Sequence, residues 1–594
     1  MAASSPSSPL LLAAAASPGA GATRAIITSL AAGVAAGYFA ARIVAASSAA
    51  RRRSSRLSSQ SADRPNGTLS ECIQGGNGSC GDEATPAEEG CLPISSGQSR
   101  LPRSSRSDVM DKAEALSLRH RHFCGAVSVS YSNSDPLMIV GGQGAHLMDS
   151  EGRTFLDTRN NVCHVGHQNS AVVKAVQSQV ATLNTNTRYL HPNASLLAQR
   201  LASLLPDPLS VVFLVNSGSE ANDLALRLAR AYTGSRNTIV VEGAYHGHTL
   251  ACLEVSPYKY EHSGEFEGKL SSQNEGSGNC DGRNTWSPNS PGGIWKVPRP
   301  DTFRGLHRNP ETAVDDYSSY VKEACSSFAS RDEGVGAFIM EGGMSVAGVI
   351  LPPTGYIQKC VGAVRSHGGL YIVDEVQTEF GRLGSSFWAF QHGWSKPGSR
   401  ADRTNSPVIP DIVTCGKPFG NGMPLAAVVT TREVSDKFES MGVELFCTFG
   451  GNPVSCAAGL AVLDEIERKG LQKHAEEVGA YIQDGFWDLS RRGSDAPVVI
   501  GDIRGSGLFI GIELVRDMKT LEPASAETSF ICSILKEKYH VLTSIDGPDE
   551  NVFVIKPPLV FSKKDADEFL ASFEKALKEL HHVPDVRKLS KTPT

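Results

Sequence analysis

The stretch GGLYIVDEVQTEFGRLG, Gly368 to Gly384, decides the fold. Its apolar run from Leu370 to Val373 is bounded by glycines and closes on two carboxylates, which predicts a buried strand whose acidic end emerges at a sheet edge. Asp374 then lies where parallel sheets place their ligands. Further on, VTCGKPFGNGMP, Val413 to Pro424, is a second apolar segment that ends in a Gly-Lys-Pro turn at Lys417. Two neighbouring strand ends are therefore expected to hold a buried acid and a buried amine.

That pair is what pyridoxal phosphate requires. Its aldehyde forms a Schiff base with a lysine, and its ring nitrogen stays protonated, and so electron-withdrawing, beside a fixed anion. Lys417 and Asp374 are the candidates for these roles. Read singly, an acid at a strand end also serves as a cap or ion-pair partner, and most lysines are solvated surface groups.

Upstream stretches supply the remaining parts. LSVVFLVNSGSEANDLALRLARAY starts as a buried strand, Val211 to Val215, passes through Asn216-Ser217-Gly218-Ser219 and continues as a helix with Leu224, Leu228 and Ala231 on one face. A strand, a loop of small residues and a helix N-terminus make an anion site, and the exposed amides at Gly218 and Ser219 suit a phosphate. The alternative is an ordinary Ser-rich N-cap. IVVEGAYHGHT, Ile239 to Thr249, is another strand ending in a turn that delivers Tyr245 and His246, and Tyr245 is placed either to stack on a flat heterocycle or to line the core. In the polar loop NTNTRYLHPN, Arg188 and His191 serve either anion binding or capping and ion pairing.

A chain of 594 residues exceeds what one core usually supports, so two or more domains are expected. The formal net charge of -6 and the pI near 6.3 carry no basic footprint, which argues against a nucleic-acid partner. Its 13 cysteines include no C-x-x-C pair, so no metal site and no disulfide framework is suggested.

From Met1 to Ala62 there is no Asp or Glu, while Arg24, Arg42, Arg51, Arg52, Arg53 and Arg56 occur among Ala and Ser, the composition of a mitochondrial or other organellar presequence. Within it, Ala25 to Ala41 is an uncharged run of 17 residues, short for a membrane span but compatible with an N-terminal membrane anchor or membrane contact. Ser54 to about Asp108 is Ser/Gly/Pro-rich and reads as a disordered linker, with sequons at Asn66 and Asn77 that arise easily by chance.

Residues 1–107 are accordingly expected to be a targeting segment and linker, 108–165 the N-terminal part of a small domain, 166–465 the large cofactor domain, 466–582 the C-terminal part of the small domain and 583–594 a tail. VMDKAEALSLRHRH is helical in pattern, and PLMIVGGQGAHLMDSEGRTFLDTRNN predicts a small antiparallel lobe turning at Ser150-Glu151-Gly152. Ser170 to Leu183 has helical spacing. Polar insertions are expected at 262–293 and 395–406. VSCAAGLAVLDEIERKGLQKHAEEVGAYIQDGF reads as one long helical stretch with Leu460, Val462, Leu463 and Ile466 in the core. IGDIRGSGLFIGIELV, VFVIKPPLVF and an amphipathic DADEFLASFEKALKEL helix complete a C-terminal α/β lobe.

The ordered set NSGSEAN, AYHGH, IVDEVQ, GRLG, GKPFGNGMP and TFGGNP, between about Phe123 and His581, resembles the class III pyridoxal-phosphate aminotransferases of fold-type I. NNVCHVGH, LNTNTRYLH and GDIRGSGLFIGIELV are most similar to the ethanolamine-phosphate phospho-lyase branch, which includes phosphohydroxylysine phospho-lyases. The resemblance implies an α/β fold with a mixed, mostly parallel sheet covered on both faces, and a small α/β domain built from both chain ends. It further implies Lys417 as the Schiff-base lysine and Asp374 as partner of the ring nitrogen, Gln377 near the ring hydroxyl, Tyr245 against the ring, and Gly218 and Ser219 at the phosphate. Thr448, in TFGGNP, would reach the cofactor phosphate of a second subunit, so a homodimer with shared sites is implied.

Three departures stand out. Where E-P-x-Q-G is common, the chain reads Glu341-Gly342-Gly343-Met344-Ser345, so a polar contact is expected to be missing. Glu379 replaces the glycine of E-V-Q-x-G-F-G-R, which should bring a charge and backbone strain near Gln377. Where amino-acid aminotransferases carry a carboxylate-holding Arg before Pro-Pro, this chain has Val554, with Lys556 beside Pro557. The activity these features imply is elimination of phosphate from phosphoethanolamine to give acetaldehyde and ammonia. Arg188 and Lys556 are candidates for the substrate phosphate. The alternatives are an ω-amino-acid or amine aminotransferase and a phosphohydroxylysine phospho-lyase.

Overall fold

The computed structural model describes residues 110–131, 135–258, 293–393, 407–442, 444–492 and 498–582. The segments expected to be a presequence, a linker, the insertion from 262 to 292, the insertion at 395–406 and the tail lie outside them. In chain order the strands are β1 (Ile139–Gln143), β2 (His146–Asp149), β3 (Thr154–Asp157), β4 (Leu209–Val215), β5 (Thr238–Val241) and β6 (Ile294–Val297). Next come β7 (Ala337–Glu341), β8 (Leu370–Asp374), β9 (Ile412–Cys415) and β10 (Ala426–Thr431). The last five are β11 (Val499–Ser506), β12 (Phe509–Val515), β13 (Val541–Leu542), β14 (Ser544–Asp546) and β15 (Val552–Ile555).

A seven-stranded sheet in the order β4-β10-β9-β8-β7-β5-β6 forms the larger part. β9, β8, β7, β5 and β6 run parallel, whereas β10 is antiparallel to both of its neighbours, so β4 again points the way β9 does. The carboxyl ends of β4, β5, β7, β8 and β9 therefore meet at one edge.

The middle strand shows why this sequence is a strand here. Every residue of β8 is buried, and its side chains alternate between faces. Leu370 and Ile372 join the cluster under the helix Gly218–Thr233, while Tyr371 and Val373 join the cluster under the helices Ala313–Ser330 and Tyr356–Ser366. Each fully buried apolar side chain of this kind contributes about 1.5–3 kcal/mol.

Two smaller sheets complete the architecture. β1, β2 and β3 pair antiparallel as the sequence predicts, but β13 adds to β3 in parallel, so chain segments from both ends share one sheet. The other, β11-β12-β15-β14, is antiparallel throughout. The long helical stretch divides at Lys469 and Gly470 into Pro453–Arg468 and Leu471–Arg492. Val462, Leu463 and Ile466 are in the core and Leu460 is partly buried against it. Among the described residues no helix is long and apolar enough to cross a membrane.

Candidate active site

Asp374 closes β8 and is 4% exposed. Its Oδ2 accepts from Asn222 Nδ2 at 2.7 Å and lies 2.8 Å from His246 Nδ1, while Oδ1 accepts from Val376 N–H at 3.0 Å. Asn222, on the first turns of the helix Gly218–Thr233, holds several strand ends together. Its amide also donates to the His246 carbonyl at 2.8 Å, and its Oδ1 accepts from Thr414 Oγ1 at 2.6 Å. A carboxylate so held is fixed in place while one oxygen keeps capacity for a further donor. On the other side of the same imidazole, His246 Nε2 is buried without a hydrogen-bond partner.

Lys417 follows β9, the parallel neighbour of β8, in a one-turn 3-10 segment Lys417–Gly420. It keeps partial solvent access, yet its amine is enclosed closely enough that burial lowers its proton affinity, against the pull of the Asp374, Glu341 and Glu379 carboxyls. Glu341, the last residue of β7, accepts from Tyr245 N–H at 3.1 Å and Ser345 N–H at 3.2 Å. Burial pushes its carboxyl up to about 7.

At the helix N-terminus Ser217 is the N-cap, accepting from Glu220 N–H, so this part of the ordinary-cap reading holds. The first amides of the helix, at Gly218 and Ser219, have no intrahelical partner and lie at the positive end of its dipole. A Cβ on Gly218 would stand 2.8 Å from the Val376 methyls, and one on Gly416 would stand 3.2 Å from Gly218 N. The lysine turn is thus packed directly on the anion end of the helix. Ser219 Oγ accepts from His248 N–H at 3.0 Å. Tyr245 is half-buried, with the rings of His248 and Tyr258 edge-on at 6.2 and 6.3 Å. Gln377 Oε1 accepts from Asn161 Nδ2.

Lys556 lies 9% exposed just past β15, and its amine donates to Ser345 Oγ at 2.7 Å. Met344, at the glutamine position of E-P-x-Q-G, is fully buried among apolar side chains. Burial lowers the Lys556 amine to about 8, opposed by Asp546 and reinforced by Lys417, Arg159 and Arg382. Asp546 in turn is raised by burial to about 6. Arg159, beyond β3, lines a cavity of about 350 Å³ with Tyr131 and Asn161, and the Tyr131 hydroxyl donates to the Thr543 carbonyl at 3.0 Å.

The other substrate candidate stands apart. Arg188 is 60% exposed, with its guanidinium 4.2 Å over the Phe446 ring and 3.7 Å from Glu444, and the structure does not bring it to Lys417 within the chain. His191 is the N-cap of the helix Pro192–Ser203, so capping accounts for it. Thr448 is exposed, between Phe446 and Phe449, which are exposed as well.

Glu379 is buried rather than surface-charged. The positive φ values fall on Phe380 and Gly381, at 57° and 79°, and not on Glu379 itself, so the expected strain sits one residue on. Asn222, Arg159, Asn161 and Tyr131 went unrecognised as contributors. Asn222 stands inside the quoted NSGSEAN motif, whereas nothing local marks Arg159 or Tyr131.

These residues fit pyridoxal phosphate: a fixed carboxylate, a closely enclosed amine beyond the adjacent strand, helix amides at Gly218 and Ser219 without intrahelical partners, and an imidazole nitrogen left unpaired. Among the described residues no group of three or more His, Cys, Asp or Glu is arranged for a metal ion.

The family profile described as Aminotransferase class-III matches residues 127–577. A Drosophila melanogaster protein named alanine–glyoxylate aminotransferase 2-like is 42% identical over 475 residues, 79% of this chain and 88% of its own length. A Caenorhabditis elegans protein named ethanolamine-phosphate phospho-lyase homolog 1 is 37% identical over 486 residues, 80% of this chain and 95% of its own. Among solved structures, an Arthrobacter phospholyase in complex with phosphoethanolamine superposes with a TM-score of 0.67 and 34% identity, over 78% of this chain and all (100%) of that one.

Proposed function

The chain belongs to the class III aminotransferase family, fold-type I enzymes whose cofactor is pyridoxal 5′-phosphate, and from that premise we propose that it is a phospho-lyase acting on phosphoethanolamine. The observation that carries this reading is the cationic corner of Arg159 and Lys556, the latter within electrostatic reach of Lys417, where the sequence offers Val554 in place of a carboxylate-holding arginine. A phosphorylated amine supplies a dianion for that corner and has no α-carboxylate to satisfy. The C. elegans relative and the Arthrobacter structure, by their names, point the same way.

When bound, the cofactor withdraws electrons from the substrate carbon next to nitrogen. Asp374, fixed by Asn222, His246 and Val376 N–H, is the anion for the ring nitrogen. The amides of Gly218 and Ser219 would hold the cofactor phosphate, Tyr245 would lie against the ring and Gln377 would serve its hydroxyl. Lys417 would carry the cofactor, and its free amine would take the proton from the substrate carbon, a role for which its lowered proton affinity suits it. Lys556 and Arg159 hold the substrate phosphate as it departs from the adjacent carbon. Hydrolysis of the remaining enamine gives acetaldehyde and ammonia.

Thr448 and Arg188 sit beside the exposed Leu190, Phe446 and Phe449, an apolar patch that supports a homodimer in which Thr448 reaches the partner's cofactor phosphate. The acid-free, Arg-containing segment from Met1 to Ala62 supports a mitochondrial address.

The name of the Drosophila relative favours a second reading, amino transfer to a keto acid. Product analysis separates the two. Given phosphoethanolamine and no keto acid, the holoenzyme should release phosphate, ammonia and acetaldehyde in equal amounts. Phosphohydroxylysine as a competing substrate sets the range. Absence of phosphate release, with amino transfer once a keto acid is added, would sink the lyase reading.

A further inference from the structure

We propose that Glu379 is a positioning residue for Lys417, acting as the acceptor that fixes the backbone amide immediately before the lysine. The proposal rests on the reading of Lys417 as the cofactor-bearing residue. In the pattern usual for the family this position is a glycine, so the device belongs to this chain's own departure.

The geometry is that of a clamp. Gly416 N–H points at both carboxyl oxygens of Glu379, 2.9 Å from Oε1 and 3.1 Å from Oε2. The ladder between β9 and β10 ends at Cys415, so the amide of Gly416 lies beyond the last strand pair. A buried amide needs an acceptor, and the side chain of Glu379 provides it. The carboxyl is itself completely buried. Its own backbone N–H donates to the Glu375 carbonyl at 3.0 Å, which ties the clamp to the segment that follows Asp374.

The groups around it decide the form in which it works. Burial drives the carboxyl well above the usual range, the Gly416 amide and Lys417 oppose that, and Glu375 and Asp374 reinforce it. The Cys415 thiol and the Arg382 guanidinium also face it. Arg382 is engaged by the carbonyls of Leu508 and Pro557 and by His164 Nδ1. A neutral acid accepts the amide without adding a further negative charge to a corner that already holds Asp374. Glutamine, equal in shape and still an acceptor, should therefore replace it.

The test uses the full chain loaded with pyridoxal phosphate, as wild type, Glu379→Gln, Glu379→Leu and Glu379→Gly. Borohydride reduction and peptide mass analysis of the wild type first locate the modified lysine. A lysine other than Lys417 would defeat the functional reading and this proposal together. With Lys417 identified, equilibrium dialysis of the cofactor and visible circular dichroism of the bound form address Glu379 alone. Glu379→Gln should match the wild type within about twofold, while Glu379→Leu and Glu379→Gly bind the cofactor about tenfold more weakly and with a diminished visible band. Should Glu379→Leu fail to fold, Glu379→Gly decides. Wild-type affinity and band in the variants that cannot accept would overturn the proposal, and so would a loss in Glu379→Gln as large as theirs.

Discussion

The sheet edge around Asp374 and the corner around Lys556 both lie close to Lys417 and hold charge by different means. Asp374 is met by three donors, two of them from side chains packed against its own sheet. Lys556 has a neutral hydroxyl for its hydrogen bond and a carboxyl, Asp546, for its counter-charge, and the two are displaced toward neutrality from opposite sides, to about 8 and about 6. A group that must never move is wrapped in hydrogen bonds. A group that must receive an anion and let it go is left poised to titrate. The contrast accords with the proposed roles of the first corner for the resident cofactor and of the second for the transient substrate.

Removing the amine between them should have the largest effect. Lys417→Ala is expected to lower phosphate release by at least about 10³-fold and to abolish the Schiff-base absorbance of the bound cofactor, with a native far-ultraviolet spectrum. Appreciable residual turnover would place the base elsewhere and dissolve the comparison.

Lys556→Met sharpens it. The KM for phosphoethanolamine should rise about 10- to 100-fold, with a smaller change in kcat, because a charge-assisted contact to the substrate is lost. An unphosphorylated amine hit equally would show that the corner does not serve phosphate. Wild-type KM should also climb as pH passes through about 8, where the Lys556 amine gives up its proton. Lys556→Arg, charged throughout, should flatten that climb. The sign for folding is the reverse. The unfolded amine keeps its proton to about 10.5, so between about 8 and 10.5 the unfolded chain binds more protons and this group adds stability as pH rises.

The smallest effect is expected from Asn222→Ala. It removes two donors and an acceptor yet leaves His246 and Val376 N–H on Asp374, so kcat should fall about tenfold and the melting temperature should drop measurably. An unchanged kcat would mean that Asp374 needs no such support.

The same contrast explains what could be read beforehand. Asp374, Lys417, Gly218 and Ser219 sit at strand ends and a helix start, where apolar runs, glycines and small residues leave a local trace in the sequence. Lys556 and Ser345 are 211 residues apart, and Arg159 comes from yet another segment, so their meeting is a property of the packed sheets with no local pattern. The surroundings of Arg188 are non-local in the same way. Its polar loop looked like an anion site, but Glu444 and Phe446, brought in from a distant stretch, engage it on the surface. The division of the long helix at Gly470 was missed because one glycine in a helical pattern is a modest cost until the packing on either side diverges.

The near-contact between Gly416 and Gly218 carries a kinetic consequence. The turn proposed to bear the covalent handhold and the helix end proposed to bear the ionic one are packed against each other. A substitution that displaces either backbone segment, such as Gly416→Ala, should therefore disturb both grips and raise the rate at which the cofactor departs.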